Sequence, residues 1–434
     1  MAGLIEILRS GDWLTRERVR LIAFGMLAAS VIGASWLLAT SHGLSDRFGR
    51  PLGTDFSSFY AAGSLVREGF VTAPFDHAAH WTGERAIFGE ATPYYAFQYP
   101  PIFLLIADAL AHLPYLPALA LWQGASLLLY LLAIRAILLA PLRGEGAQIG
   151  QASKASSVIH SDEQVSGLWL TLALAFPAVF INLTHGQNGF LTAGLFALAL
   201  VELDWRPLLA GLLIGLMAYK PQFGLMIPLV LLVSGRWRTV VAAAATVAAL
   251  VAATLIVFGP DVWRAFFASM TFSRVVLLEE DAIGWYKLQS VFSWVRLWGG
   301  PVSLAYLVQA TVTLAVALGL VWLWRSRARF PLKAAALLLG TLLSTPFCLD
   351  YDLMLLAPAI AFLAADGLQR GFAPYQKTIL AALWIAPLIT RSIAETASIP
   401  VAVPVMLLSF AYLLHRGIAE NHNPQTSSLL QSAP

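Results

Sequence analysis

Long apolar runs follow one another along the chain, and this feature constrains the fold more than any other. A bilayer core about 30 Å thick is crossed by about 20 apolar residues in a helix. Charged residues make up only 12% of the 434 residues, whereas a soluble domain has roughly 25%. The runs predict an all-α, polytopic membrane protein. They lie at residues 20–40, 101–140, 167–183, 190–203, 207–219, 222–234, 238–258, 301–324, 331–347, 353–366, 376–392 and 400–415.

Several of these runs differ in length from an upright span. Residues 207–219 would cover only about 20 Å at about 1.5 Å per helical residue. We therefore expect broken helices, whose non-helical backbone is buried inside the protein. The run 101–140 is too long for one helix and is interrupted by Pro114 and Pro117. It predicts a short re-entrant or interfacial helix followed by one true span.

The basic residues predict the orientation, because Lys and Arg are concentrated on the cytoplasmic side of membrane proteins. One threading places every basic cluster there, with both termini cytoplasmic and about twelve net crossings. These clusters lie at residues 9–20, 135–154, Arg206, 236–238, 325–333, 370–377 and Arg416. The extracytoplasmic side then receives the loops 41–100 and 259–300 and the turns at 184–189, 219–222, 347–352 and 393–399.

These assignments divide the chain into three parts. Residues 1–19 are predicted to be a cytoplasmic N-terminus, and residues 20–415 a single transmembrane domain with a large first extracytoplasmic loop. Residues 416–434 are predicted to be a disordered cytoplasmic tail, since its end is rich in polar residues. The chain is thus expected to be a multi-pass protein of the cell's inner membrane.

Composition and motifs exclude several function classes. Cys348 is the only cysteine, which excludes an intramolecular disulfide and a cysteine metal cluster. The net charge of +3 is too small to indicate a nucleic-acid partner. The sequence has no phosphate-binding glycine loop and no Gly-x-Ser-x-Gly, HExxH or CxxC motif. A nucleotide would lack a binding loop, so a donor taken from the lipid phase fits the chain better.

The first extracytoplasmic loop carries a candidate catalytic acid. Asp55 follows the first span and is succeeded by Tyr60, and the loop ends with Gln98 and Tyr99. A carboxylate at a membrane–water boundary can act as a general base, while the aromatic residues can stack on a sugar. The alternatives are that Asp55 caps a helix and that the aromatic residues form an interfacial belt.

The turn at 184–189 places His185, Gln187 and Asn188 between two short apolar segments. Side-chain amides at membrane depth are costly unless they are paired or line a wet cavity. The turn is therefore a candidate binding element. The alternative is a polar turn that satisfies the ends of two helices.

Two further turns carry charge. Lys220 is predicted to face outward, against the positive-inside trend, and can serve as a phosphate ligand; the alternative is a lysine that snorkels to the interface. Asp350 and Asp352 flank Tyr351 and can bind sugar hydroxyls or a metal. Their alternative role is to cap two helix ends.

Taken in order, these motifs resemble those of glycosyltransferase family 87, a family of GT-C membrane enzymes. The resemblance covers about residues 50–365. It rests on Asp55-Phe56 with Tyr60-Ala61-Ala62, Tyr99-Pro100-Pro101, Gly186-Gln187-Asn188, Ala210 to Gly215 running into Lys220-Pro221, Arg236-Trp237-Arg238, and Ser344-Thr345-Pro346 with Tyr351-Asp352.

The resemblance implies a GT-C-type bundle and a reaction. Such enzymes transfer a hexose, typically mannose, from a polyprenyl-phosphate sugar to a glycolipid or glycan on the extracytoplasmic face, with inversion. Asp55 corresponds to the loop carboxylate that acts as general base. Lys220, with His185, Gln187 and Asn188, is expected at the donor phosphate and sugar. Tyr60, Gln98, Tyr99, Asp350 and Asp352 are expected in the acceptor groove, and no metal or other cofactor is expected.

Two other functions remain open from the sequence. The chain can be a secondary transporter or flippase of a lipid-linked substrate, or an assembly subunit without activity. A transporter is expected to carry ionisable residues near the bilayer midplane and internal repeats, whereas the polar clusters of this chain lie at one face and no repeat is evident. Convergence of Asp55, Gln187, Lys220 and Asp350 on one site would favour the enzyme.

Overall fold

The chain is entirely helical in the computed structural model, which describes residues 2–145 and 163–422. Within these residues there are 19 α-helices and no β-strand. The α-helices are α1 Ala2–Ser10, α2 Arg16–Ala39, α3 Thr54–Arg67, α4 His77–Phe88, α5 Leu104–Leu110, α6 Tyr115–Glu145, α7 Glu163–Leu174, α8 Pro177–His185, α9 Gly189–Glu202, α10 Pro207–Leu216, α11 Met226–Val233, α12 Trp237–Phe258, α13 Asp261–Phe272, α14 Val291–Leu297, α15 Val302–Arg325, α16 Phe330–Leu343, α17 Leu356–Arg370, α18 Gln376–Ala397 and α19 Ala402–His422. Short 3₁₀ turns occupy Ala73–Phe75, Pro101–Phe103, Met217–Tyr219, Pro221–Gly224, Trp285–Lys287 and Asp350–Leu355, and a π-helix occupies Ser273–Glu279.

The lengths and apolar character of the helices confirm a multi-pass membrane protein. Among the described helices, seven are long and apolar enough to cross a bilayer, and there are eight if the bent pair α7–α8 forms one span. The seven are Arg16–Ala39, Tyr115–Ala140, Trp237–Phe258, Val302–Arg325, Asp350–Arg370, Gln376–Ala397 and Ala402–Asn421. The count of twelve crossings stays a prediction.

Prolines determine where several helices begin. The residue before a proline is disfavoured in the α conformation, and Pro177 accordingly starts α8 after a break that follows α7. The two helices meet at an angle of 51°, so the run predicted as one span over 167–183 is bent. The run 101–140 is likewise divided, by Pro114, into the short helix α5 and the long helix α6.

Burial separates a central layer from peripheral helices. In the segment formed by α17 and the 3₁₀ turn before it, 83% of the residues in the most apolar stretch are buried inside the protein. The corresponding value is 6% in both α2 and α12. The side chains of α9 and α16 are also mostly buried. The apolar side chains of α2 and α12 therefore face the lipid, and α9, α16 and α17 form the middle of the bundle.

The helices α9 and α16 define the two ends of the bundle. Each has 14 residues and is thus about 21 Å long at about 1.5 Å per residue. Asn182 of α8 joins the start of α9 to the segment after α16, because its Oδ1 accepts from the Gly189 N–H at 2.9 Å and its Nδ2 donates to the Tyr351 carbonyl oxygen at 3.0 Å. We call this the site end. Glu202, which ends α9, and Phe330, which begins α16, lie at the far end.

The segments 41–100 and 259–300 pack against each other at the site end. The rings of His77 in α4 and Phe272 in α13 are in tilted contact at 5.1 Å between centroids, and Phe75 contacts Phe266 at 5.7 Å. The second segment is also tied to the bundle, because Gln289 N–H donates to the Cys348 carbonyl oxygen. These contacts form a layer over the ends of the central helices.

The structure corrects the predicted tail. Helix α19 continues to His422, so a disordered tail beginning at 416 starts too early. The helix is extended because Glu420 accepts hydrogen bonds from Arg329 and Arg416. The remaining part of the predicted tail, 423–434, lies outside the described residues.

Candidate active site

Asp55 lies in the first turn of α3 at the site end. The positive end of the helix dipole there favours a carboxylate. Its Oδ2 accepts a hydrogen bond from Gln187 Nε2 at 3.0 Å and lies 3.8 Å from His185 Nδ1. The Asp55 side chain is 26% exposed. The carboxylate is therefore held in place and is still reachable by a substrate.

The orientation of the Gln187 amide follows from its other partners. Its Oε1 accepts hydrogen bonds from the Asn188 N–H at 2.9 Å and from the Tyr99 hydroxyl at 3.2 Å. Burial raises the pKa of Tyr99, so this hydroxyl keeps its proton and donates it. Since a backbone N–H can only donate, the Gln187 Nε2 must face Asp55.

The turn that carries Gln187 is locked against α3 and α6. Trp122 Nε1 donates to the Gly186 carbonyl oxygen at 3.0 Å, and Gln123 Nε2 donates to the Gln187 carbonyl oxygen at 3.2 Å. Gly186 has φ +64°, and a Cβ at this position would lie 2.5 Å from Phe56 Cβ. Glycine is required here because it adopts positive φ without strain and lets the turn approach α3.

Asn188 has a side-chain amide that is not satisfied within the described structure. The residue is fully buried at the start of α9. Its amide adjoins the Tyr99 hydroxyl, but neither polar atom is in hydrogen-bond geometry with a described residue. Buried polar groups normally have a partner, so this amide is a candidate contact for a polar ligand.

Lys220 forms a buried ion pair. Its Nζ is 2.5 Å from Asp352 Oδ1, and both side chains are 2% exposed. The ammonium group also lies 5.1 Å from the centre of the Tyr351 ring and 5.3 Å from that of Phe223. Asp352 is oriented by the Leu349 N–H, which donates to its other oxygen at 3.0 Å. The charge of Lys220 is thus balanced inside the protein.

Asp350 is paired with a more exposed cation. Arg391 Nη1 donates to Asp350 Oδ2 at 3.0 Å, and the Arg391 side chain is 36% exposed against 4% for Asp350. The guanidinium also lies 5.7 Å from the centre of the Tyr286 ring, which belongs to the segment 259–300. Arg391 therefore presents positive charge at the surface of the site.

The structure brings most of the predicted site residues together. Asp55 and Asp350 are both within electrostatic range of Tyr351, which also contacts Lys220. Tyr60 points elsewhere, because its hydroxyl donates to the Leu113 carbonyl oxygen at 2.8 Å. Gln98 is half-buried, and no hydrogen bond joins its side chain to another described residue.

A second pair of titratable side chains lies near Asp55 on α4. His80 and Glu84 are both fully buried, with His80 Nε2 3.8 Å from Glu84 Oε1. Burial raises the pKa of Glu84 to about 8, and Asp55 adds to the increase. Burial lowers the pKa of His80 to about 4. Both groups are therefore neutral at pH 7, and Glu84 anchors the loop by accepting from the Tyr95 N–H at 3.1 Å.

Comparison with known proteins identifies the family. A family model described as glycosyltransferase family 87 matches residues 97–349, which is more than half of the chain. The chain belongs to glycosyltransferase family 87. Membership in this family makes it a membrane glycosyltransferase. No curated protein and no solved structure matches the chain.

The match to glycosyltransferase family 87 covers part of the site. Tyr99, Gln187 and Lys220 lie within the matched residues, whereas Asp55 precedes them and Asp350 follows them. Hydrogen bonds and ion pairs join the two sets, as described above. The structure therefore extends the candidate site beyond the region that the family model covers.

Arg391 was not predicted from the sequence as a site residue. The sequence does mark it in the same way as Lys220, because Arg391 is a cation at the end of an apolar run that the threading places on the extracytoplasmic side. The pair His80 and Glu84 was also missed. Their spacing of four residues places both on one face of α4, but it does not show that this face is buried.

Proposed function

We propose that the protein transfers a hexose, with mannose the first candidate, from a polyprenyl phosphate to a hydroxyl of a glycolipid or glycan on the extracytoplasmic face. The observation that carries this proposal is the convergence of Asp55, Gln187, Lys220 and Asp350 at one end of the bundle. The proposal includes the twelve-crossing threading, with the site end outside the inner membrane and both termini cytoplasmic.

Asp55 is the proposed general base. Its free carboxylate oxygen accepts the proton of the acceptor hydroxyl while that oxygen attacks the anomeric carbon of the donor sugar. The bond between the anomeric carbon and the phosphate oxygen breaks on the opposite face, and polyprenyl phosphate leaves. This displacement inverts the configuration. Gln187 holds the other carboxylate oxygen at 3.0 Å, which keeps the base aligned.

The proposed donor site is formed by His185, Gln187, Asn188 and Lys220. The unsatisfied amide of Asn188 supports it, since a sugar hydroxyl or phosphate oxygen would supply the missing partner. Arg391 adds to this set as an exposed cation. Positive charge at this place stabilises the charge that develops on the leaving phosphate, so the proposed reaction requires no metal or other cofactor.

The proposed acceptor groove lies beside Tyr99 and the turn of Asp350 and Asp352. Gln98 is the best placed of the predicted groove residues, because its amide is half-buried and has no hydrogen-bond partner among the described residues. Tyr60 is the least well placed, since its hydroxyl is already bonded to Leu113.

A transfer assay tests the proposal. The purified protein is incubated with polyprenyl-phosphate mannose or glucose and a glycolipid acceptor, and the linkage of the product is determined by NMR. We expect a new glycosidic bond whose anomeric configuration is opposite to that of the donor. Transfer from a nucleotide sugar alone would contradict the donor assignment. Movement of the lipid-linked sugar across vesicles without bond formation would favour a flippase.

A further inference from the structure

A cavity of about 570 Å³ opens at the far end of the bundle, remote from the candidate active site. Its walls are formed by the ends of several helices, which lie at the opposite end of α9 and α16 from the active site. The residues that matter for its chemistry are Asp204, Arg236, Trp324, Arg325, Phe330 and Lys333. A group bound here would contact the turn after α9, the start of α12, the end of α15 and the start of α16 together.

The lining of this far-end cavity has excess positive charge. Arg236, Arg325 and Lys333 are basic, and Asp204 is the one acidic residue among those that line it. Asp204 is already engaged, because its Oδ1 is 2.5 Å from Arg236 Nη1. Two basic side chains are therefore left without a counter-charge in the lining.

Several donors in the cavity also lack acceptors. The buried Nε of Arg236 has no hydrogen-bond partner within the described residues. The Arg325 side chain is exposed and makes no hydrogen bond or ion pair with a described residue. Lys333 Nζ donates to the Ser326 carbonyl oxygen at 2.8 Å, which leaves two of its three N–H groups free for another acceptor. The cavity therefore offers unpaired N–H donors on basic side chains, which is what an anion binds.

Two neighbouring arginines at this end, Arg329 and Arg416, have acidic partners. Arg329 donates to Asp366 and to Glu420, and Glu420 also accepts from Arg416. These arginines are therefore engaged within the fold, whereas Arg325 and Lys333 of the cavity have no acidic partner among the described residues.

Exposed tryptophans place the cavity at the level of the lipid head groups. Trp205 and Trp237 are each 61% exposed and adjoin Asp204 and Arg236 in the sequence, and Trp322 is exposed near Arg325. Tryptophan is enriched at the membrane–water interface. The nearby surfaces of α10 and α12 expose apolar residues such as Leu208 and Val241, which acyl chains can cover.

We propose that the far-end cavity binds the phosphate of an anionic phospholipid from the adjacent leaflet, which is the cytoplasmic leaflet in the proposed orientation. Arg325 and Lys333 bind the phosphate oxygens, and the Nε of Arg236 supplies a further donor. Basic pockets between membrane helices bind lipid head groups in this way. The proposal does not rest on the glycosyl transfer, and its failure would leave the proposed function unchanged.

Thermal unfolding of the full-length protein in a neutral detergent tests this site. A ligand that binds the folded state raises the melting temperature. We expect phosphatidylglycerol to raise it, and phosphatidylcholine and inorganic phosphate at equal concentration to have little effect. In Arg325→Gln the phosphatidylglycerol concentration for half of the shift should rise about fivefold, and more in the double variant with Lys333→Gln.

Arg327→Gln is the matched control, because Arg327 is exposed two residues away and does not line the cavity. It should respond to phosphatidylglycerol as the unmodified protein does. An unchanged response in Arg325→Gln, or an equal loss in Arg327→Gln, would overturn the assignment of the cavity. A full shift with inorganic phosphate alone would overturn the assignment to a lipid.

Discussion

Asp55 at the site end and Asp366 at the far end are carboxylates on helices of one bundle, yet their partners differ. Asp366 is 3% exposed and is bound by the Arg329 guanidinium. Asp55 is 26% exposed and is held by the neutral amide of Gln187. A carboxylate paired with a cation is committed to the fold, whereas one held by an amide keeps its capacity to accept a proton.

Exchanging each of these acids for its amide gives the largest expected effect. Asp55→Asn should lower the transfer rate by about 10²- to 10⁴-fold, the usual contribution of a general base, with little change in the melting temperature. Asp366→Asn should lower the melting temperature and leave the rate per folded molecule near normal. The measurements are product formation and thermal unfolding for both variants. Near-normal turnover in Asp55→Asn would remove the general-base role.

The buried ion pair of Lys220 and Asp352 at the site end extends the same comparison. Lys220→Met leaves the Asp352 carboxylate buried and unpaired, which should lower the free energy of unfolding by about 3–5 kcal/mol. The double variant Lys220→Met with Asp352→Leu should recover much of this stability, because both charges are then gone. We expect both variants to transfer poorly if Lys220 acts on the donor phosphate. Recovery of activity along with stability would show that the pair is only structural.

The sequence predicted the polar turns better than their contacts. Apolar runs must lie in the bilayer, so Asp55, Gln187 and Asp350 were predicted to face one side. The pattern does not show partners that are distant in the chain. Lys220 was therefore predicted as an available cation, whereas Asp352, 132 residues later, neutralises it in the structure.

Other differences have equally local causes. The bend between α7 and α8 follows from Pro177, but the hydropathy of the run gives no sign of it. The end of α19 was misplaced because residues 417–422 are partly polar, although a hydrogen bond from Arg329 to Glu420 holds them in the helix. Tyr60 was predicted to line a groove, and its contact with Leu113 depends on how α5 folds back on α3.

The pair on α4 predicts a pH dependence of stability. Between pH 6.5 and about 8 the folded chain keeps a proton on Glu84 that the unfolded chain has released. His80 is neutral in the folded state, and in the unfolded state it loses its remaining proton as pH rises above its ordinary pKa of 6.5, so the Glu84 proton is the larger difference. The folded state then binds more protons, so the free energy of unfolding falls as pH rises, by at most about 1.4 kcal/mol per pH unit. Glu84→Gln should remove this fall.

Glu90→Gln serves as the control for Glu84→Gln, because Glu90 is an exposed acid in the same loop. It should keep the dependence of the unmodified protein. Denaturation measured at intervals from pH 6.5 to 9 gives the slope for each protein. An identical slope in Glu84→Gln and the unmodified protein would show that Glu84 is already ionised in the folded state.

The smallest expected effect concerns Arg391 at the site end, which pairs with Asp350, and Arg329 at the far end, which pairs with Asp366. Arg391 has one carboxylate partner and is 36% exposed, whereas Arg329 has two, Asp366 and Glu420. Arg391→Gln should raise the KM for the lipid-phosphate donor about five- to tenfold and lower kcat, since a charge-assisted contact that also stabilises the leaving phosphate is lost. Because Asp350 then stays buried without its cation, the melting temperature should fall as well. Arg329→Gln should lower the melting temperature and leave the KM unchanged. If the two variants alter KM equally, the exposed charge of Arg391 does not act on the donor, and the contrast between the two ends does not extend to their cations.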